Sequence, residues 1–310
     1  MRIVFAGTPH PAVPSLQAVA ASAHELVGVV TRGDAPLGRK RVLTPSPVAT
    51  AGDGLGVPVV KADRLDATAT AAIEALRPDL GVIVAYGGLV REPLLSLPRH
   101  GWINLHFSLL PAWRGAAPVQ RSLMAGETVT GASVFQLVPA LDAGDVFGDV
   151  SYEVPAEATA GDVLADLAER GAALLVDVVD AIAAGTARAV PQTGEPTLAP
   201  KLTIADGALD FTASADAVIA RFRGTTPEPG AHTSVGGQRL KVLSAVRGPE
   251  TDLAAGRLAL VDGAVLVGAH DGTVALRTVQ PAGKGPMAAA DWWRGLRSDN
   301  PRVDETAVSS

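Results

Sequence analysis

Short unbroken apolar runs recur along the first half of the chain, at Ile3–Ala6, Leu26–Val30, Gly81–Ala85 and Trp102–Leu105. Runs of this length without polar alternation predict strands buried on both faces. Val57–Val60 is a shorter candidate, and Pro58, which has no amide to donate, places it at a sheet edge. Between these runs, Ala12–Ala21 and Asp63–Leu76 repeat their apolar positions at helical spacing. Alternating strand and helix predicts a mostly parallel, Rossmann-like sheet covered on both sides. Further on, Ala132–Val138 and Phe147–Val154 read as strands and Ala160–Ala184 as one long amphipathic helix.

The pattern changes at Thr186–Pro200, where Pro191, Gly194, Pro196 and Pro200 interrupt any periodicity. Beyond it come short β-rich segments, Gln238–Leu243, Gly256–Val261, Ala264–Val267 and Thr273–Thr278, separated by Asp262-Gly263 and Asp271-Gly272 turns. Close-spaced short strands predict a small β-barrel of the OB type. The expected organisation is a first domain over residues 1–190, a linker over 191–204, a barrel domain over 205–302 and a frayed tail over 303–310.

Composition narrows the class. At 310 residues, two domains are the natural expectation, and 47% hydrophobic against 19% charged residues describes a well-buried globular chain. No apolar run approaches the roughly 20 residues of a membrane span. No signal peptide fits ahead of the first strand, so a cytoplasmic location is the default expectation. Without cysteine there is no disulfide, thiolate metal site or cysteine nucleophile. The net charge of −6 disfavours a protein that coats nucleic acid, DNA included, although a local cationic patch can still hold one RNA.

The richest segment is Asn104-Leu105-His106-Phe107-Ser108-Leu109-Leu110-Pro111, continuing through Trp113-Arg114-Gly115-Ala116-Ala117-Pro118. Asn104 and His106, two apart on a strand, project from the same face. In an open α/β sheet the reactive crevice lies at the carboxyl ends of the strands, where these two fall. An amide there can donate to a developing oxyanion, and an imidazole can shuttle a proton. Leu141-Asp142-Ala143-Gly144-Asp145 offers a turn carboxylate after a strand, and Asp142 can orient His106. A lone histidine on an apolar strand is usually a core residue, and a lone Asp near Gly is ordinary turn chemistry. Their joint occurrence with Asn104 carries the reading. Gly7-Thr8-Pro9 lacks the glycine spacing of dinucleotide and triphosphate loops.

The run Asn-x-His-x-Ser-Leu-Leu-Pro, then Arg-Gly-x-x-Pro and Leu-Asp-x-Gly-Asp, resembles the folate-dependent formyltransferase family. Phe5-Ala6-Gly7-Thr8-Pro9, Gly38-Arg39-Lys40-Arg41 before Pro45-Ser46-Pro47-Val48, and Gln280-Pro281-Ala282-Gly283-Lys284 with Met287 extend the likeness over nearly the whole chain. Phe107 departs from it, standing where the family carries a smaller residue. The resemblance implies a formyl group taken from 10-formyltetrahydrofolate as cosubstrate, with no metal. The implied acceptor is the amino group of methionine on initiator methionyl-tRNA, and the implied state is a monomer. It further implies that Asn104 and protonated His106 stabilise the oxygen of a tetrahedral intermediate while Asp142 holds His106. Ser108, Leu109, Leu110 and Pro111 would line the folate site, with Ala85, Tyr86 and Gly87 flanking it. Arg32, Arg39, Lys40 and Arg41 form the basic loop that would meet the tRNA, and Lys284 would add a contact from the barrel. Arg221, Arg223, Arg239 and Lys241 are further cationic candidates there.

Overall fold

The first apolar run forms strand β1 (Arg2–Gly7), with Ile3 to Ala6 fully excluded from solvent, as a central strand requires. The computed structural model describes residues 1–38, 40–296 and 300–304. After β1 come α1 (Val13–Ala21), β2 (Glu25–Thr31), the short strands β3 (Ala35–Leu37) and β4 (Val42–Thr44), α2 (Pro47–Leu55), β5 (Val59–Lys61) and α3 (Ala67–Ala75). The chain continues through β6 (Leu80–Val84), β7 (Trp102–His106), β8 (Arg114–Gly115), α4 (Pro118–Met124), β9 (Val129–Gln136), β10 (Val146–Glu153), α5 (Ala160–Ala184) and β11 (Leu198–Ala199).

The chain divides into two compact units. The first holds Met1–Pro118, Val129–Tyr152 and Leu164–Ala199. Its seven-stranded sheet has the order β10-β9-β7-β6-β1-β2-β5. β5, β2, β1, β6 and β7 run parallel, and β9 joins β7 antiparallel. This is the Rossmann-like sheet expected, and β5 lies at the edge that Pro58 indicated. Val4, Ile73, Ile83, Tyr86, Leu94 and Trp102 belong to one core cluster. Trp102 is fully buried, and its indole N–H donates to the Leu94 carbonyl at 2.9 Å. Such burial contributes on the order of 1.5–3 kcal/mol for each large apolar side chain.

Local signals set the helix starts. The Ser46 hydroxyl accepts from the Ala49 amide at 3.0 Å, and Asp66 does the same for Ala69. The Asp66 cap explains why α3 begins at Ala67 and not at Asp63, where the apolar spacing alone placed it. The basic loop holds a β3–β4 hairpin that the sequence pattern did not predict.

The second unit contains Val119–Thr128, Glu153–Val163 and Pro200–Ser310. Its elements after β11 are α6 (Ala215–Gly224), β12 (His232–Val235), β13 (Gln238–Arg247), β14 (Leu258–Val261), β15 (Ala264–Gly268), β16 (Thr273–Pro281), β17 (Met287–Ala288) and α7 (Ala289–Arg294). The antiparallel sheet runs β12-β13-β16-β15-β14, with β17 added on β16. Register shifts on either side of Ser244 bend β13, the device by which a sheet curls. The core gathers Phe211, Val218, Phe222, Leu240, Val242, Val265, Val274 and Leu276, with Trp292 and Trp293 packed against it. Val303 bridges Val235 of β12, and Arg302 bridges Arg257 beside β14, so residues 302–303 tie the two edges toward a half-barrel. The tail expected to fray from residue 303 is therefore anchored at its start. Asp304 accepts the Gly236 and Gly237 amides at 3.0 and 2.8 Å, and residues 305–310 lie outside the described residues.

Candidate active site

β7 delivers the two central groups. Its register sets Asn104 beside Ile83 and Phe135, and places His106 opposite Ser133. Asn104 is half-buried, and its carboxamide makes no hydrogen bond among the described residues. A polar group at a strand end with unspent donors is equipped to meet a ligand oxygen. His106 is 5% exposed, and its ring stands edge-on to Phe135 with centroids 6.4 Å apart.

The loop after β7 folds back onto that ring. His106 Nε2 donates to the Trp113 carbonyl at 2.9 Å, so the neutral ring carries its proton there and leaves Nδ1 as the basic atom. Asp142 Oδ2 lies 3.9 Å from Nδ1, an ion-pair distance longer than a hydrogen bond. Burial lowers the His106 pKa below the ordinary histidine value. The Asp142 carboxylate and the Trp113 carbonyl work in the opposite direction. The ring is thus neutral near pH 7 and able to accept a proton at Nδ1.

Asp142 sits at φ +44°, a left-handed conformation that Asp tolerates better than most residues. Its Oδ2 also accepts the Gly115 amide at 2.8 Å. Two residues on, a Cβ at Gly144 would lie 1.7 Å from the Gln136 carbonyl, so only glycine lets the turn pass that close to β9.

The other expected residues are placed as follows. The Ser108 hydroxyl is fully buried and donates to the Ala112 carbonyl at 2.6 Å, closing the loop on itself. Ser133 donates to the Ser108 carbonyl and accepts the Leu110 amide, leaving Leu109, Leu110 and Pro111 half-buried along the loop. Ala85 and Gly87 are exposed at the end of β6. The Tyr86 ring turns into the core, where its hydroxyl donates to the Ala62 carbonyl at 2.6 Å. Arg32 is engaged by Asp63 at 3.1 Å and by the Gly87 carbonyl at 3.2 Å. Lys40 and Arg41 are exposed on the hairpin, Arg39 lies outside the described residues, and Lys284 is exposed in the turn after β16.

Three groups had no signal of their own in the sequence: the Trp113 carbonyl, Ser133, and Gln192, whose amide donates to the Asp142 and Gly144 carbonyls at 2.8 Å each. A backbone carbonyl is invisible to residue type, Ser133 lies inside an apolar strand, and Gln192 sits in a proline-broken stretch. Among the described residues, no group of three or more His, Cys, Asp or Glu gathers as for a metal ion. No described helix is long and apolar enough to cross a membrane.

The formyl transferase model matches residues 1–179, and the formyl transferase C-terminal domain model matches residues 201–297. The methionyl-tRNA formyltransferase of Clavibacter sepedonicus is 63% identical over 297 residues, covering 96% of this chain and 97% of that protein. The methionyl-tRNA formyltransferase of Leifsonia xyli subsp. xyli is 60% identical, covering 95% and 97%. Among solved structures, HypX from Aquifex aeolicus in complex with tetrahydrofolic acid superposes with a TM-score of 0.62 at 18% identity. That match covers 94% of this chain and 46% of the longer HypX chain, and it speaks for the shared fold alone.

Proposed function

This chain belongs to the formyl transferase family, and from that membership we propose that it moves the formyl group of 10-formyltetrahydrofolate onto the amino group of methionine carried by initiator tRNA. The observation that carries the reading is Asp142 lying 3.9 Å from His106, which stands two positions after Asn104 on β7, in a chain 63% identical to a protein named for formyl transfer to methionyl-tRNA.

Asn104 donates its unspent amide to the formyl oxygen as negative charge builds there; removing such a donor costs about 3–4 kcal/mol of transition-state stabilisation. His106 enters neutral, takes the proton of the attacking amine at Nδ1, and passes it toward the departing nitrogen of the folate. While it holds that proton, the imidazolium adds positive charge beside the oxygen. Asp142 stabilises that charge across the 3.9 Å gap. Ser108, Leu109, Leu110 and Pro111 would line the folate site, with Ala85, Tyr86 and Gly87 at its flank. The Tyr86 ring is committed to the core, so that residue offers its backbone. Arg39, Lys40, Arg41 and Lys284 would face the tRNA, while Arg32, held by Asp63 and the Gly87 carbonyl, would support the root of that loop. The reaction belongs to the first unit, within residues 1–190, followed by the stretch 191–204 that packs onto it as far as Ala199, with 205–302 as an additional tRNA grip. The protein would act as a monomer in the cytoplasm, without metal, membrane or DNA.

The test is a transfer assay with 10-formyltetrahydrofolate and methionyl-initiator tRNA, beside small amine acceptors. Formyl-methionyl-tRNA is the expected product, and His106→Ala should lower kcat by about 10²–10⁴. Unchanged turnover in that variant would remove His106 from the chemistry, and transfer to small amines alone would remove the tRNA.

A further inference from the structure

A second set of contacts lies around the His106–Asp142 pair, and all of it comes from residues 190–199 in the proline-broken stretch that closes the first unit. Val190 exchanges both backbone hydrogen bonds with Val146, at 2.8 and 2.9 Å, which anchors the stretch at one end. At the other end β11 pairs with β8, and the Ala199 carbonyl accepts the amides of Ala116 and Ala117 at 2.9 and 3.1 Å. Between these anchors, two side chains reach the site. Gln192 Nε2 donates to the carbonyls of Asp142 and Gly144, at 2.8 Å each. Its Oε1 accepts from Arg114 Nη2 at 2.6 Å and from Nε at 3.1 Å. Thr197 Oγ1 accepts the Trp113 amide at 2.8 Å.

The chemistry of these contacts is selective. With a guanidinium on one side and two carbonyls on the other, the side chain at 192 must accept and donate at once, and of the side chains of this length only a carboxamide does both. The turn that it clasps is the one that holds Asp142 in a left-handed conformation and brings Gly144 against the Gln136 carbonyl. Thr197 acts one residue from the other side of the pair, because Trp113 supplies both the amide that Thr197 holds and the carbonyl that fixes His106 Nε2.

We propose that Gln192 and Thr197 are positioning residues for the formyl transfer, Gln192 clamping the Asp142 turn and Thr197 the Trp113 carbonyl, so that carboxylate and imidazole keep one mutual geometry. The inference rests on the reading of the site above and deepens it. Neither residue touches the reacting atoms, so both act on turnover and leave substrate affinity alone. A displacement on the order of 1 Å at such a pair can cost about a hundredfold in rate.

The experiment uses the full chain with 10-formyltetrahydrofolate and methionyl-initiator tRNA. Gln192→Leu and Thr197→Val should lower kcat by about ten- to a hundredfold, with both KM values held within about twofold. Thr197→Ser, which keeps the hydroxyl acceptor, should restore kcat to within about threefold of the parent. Gln192→Glu keeps its size and its acceptor for Arg114 but loses both donors. It should remain folded and still show the loss, whereas full turnover in it overturns the proposal. Raised KM values with unchanged kcat, or failure of Thr197→Ser to rescue, overturn it as well. A readout without substrate separates this inference from the functional reading. Hydrogen exchange at the Gly115 amide, which Asp142 Oδ2 accepts, should quicken about tenfold in Gln192→Leu. Unchanged exchange overturns the clamp, while quickened exchange in a protein that transfers no formyl group upholds it and refutes only the assigned reaction.

Discussion

At the residue scale, the chemistry turns on how His106 is protonated. Burial is the largest influence on the ring and holds it neutral, and the Asp142 carboxylate pulls back toward the charged form. A histidine whose folded pKa lies below its unfolded value of about 6.5 binds its proton more readily in the unfolded chain. It therefore contributes stability at neutral pH that is lost as pH falls below about 6.5. In catalysis the same direction gives an acid limb below pH 6.5, where the general base becomes protonated. Asp142→Asn isolates the charge, because Asn also tolerates the left-handed φ and can still accept the Gly115 amide. The variant should lower kcat by about 10²–10⁴ and move the acid limb of kcat/KM to still lower pH, since the group that favours the imidazolium has gone. An acid limb that moves upward would mean that Asp142 does not act through His106. Ser133 belongs to the same scale: its single hydroxyl sets the path of the Ser108–Leu110 backbone, and no pattern in an apolar strand distinguishes it from a packing residue.

Among the elements, β6 and β7 carry the site, and their packing depends on one missing side chain. Gly81 pairs with Trp102, and a Cβ there would fall 2.1 Å from the indole. Gly81→Ala should destabilise the first unit by roughly 1–3 kcal/mol through overpacking, seen as a lowered Tm in thermal unfolding; an unchanged Tm would show that the indole shifts without cost. Because Trp102 opens the strand that ends at His106, kcat should fall along with the Tm. The parallel strands themselves were legible from the uniform apolar runs, since burial on both faces removes alternation and leaves a signal that few other elements share, while their order in the sheet was not. That Asn104 and His106 share one strand and that Asp142 lies in a turn was legible from the sequence, though each alone reads as an ordinary residue and only their joint occurrence carried the reading. The β3–β4 hairpin was not, because its Leu37, Val42 and Leu43 are exposed and carry no buried face to create a period. α2 was missed for a related reason: Gly52 and Gly54 interrupt a short helix that relies on the Ser46 cap. The stretch from Val190 to Ala199 reads as a connection by composition, since its role is carried by backbone pairing and two polar side chains.

For the whole molecule, the difficulty is that a chain of net charge −6 must hold a polyanion. Long-range repulsion of that sign has to be overcome by cations placed together and left unpaired. Two cations near the loop are already spent on the protein: Arg32 on Asp63 and the Gly87 carbonyl, and Lys61 on Asp34 at 2.6 Å. Lys40 and Arg41 carry no ion pair among the described residues and are exposed at the end of the hairpin, which leaves them free to displace counterions from a phosphate backbone. Replacing both with Ala should weaken methionyl-tRNA binding and reduce the slope of log affinity against log salt by about one to two, with the folate KM unchanged. Arg32→Ala should behave differently. Its guanidinium ties the end of β2 to the turn that follows β6, so its loss should raise the folate KM and leave the salt slope of tRNA binding as it was. If instead Arg32→Ala flattened that slope and the hairpin pair did not, the tRNA would be held at the root of the loop, and the unpaired cations at its end would be only a solvated surface.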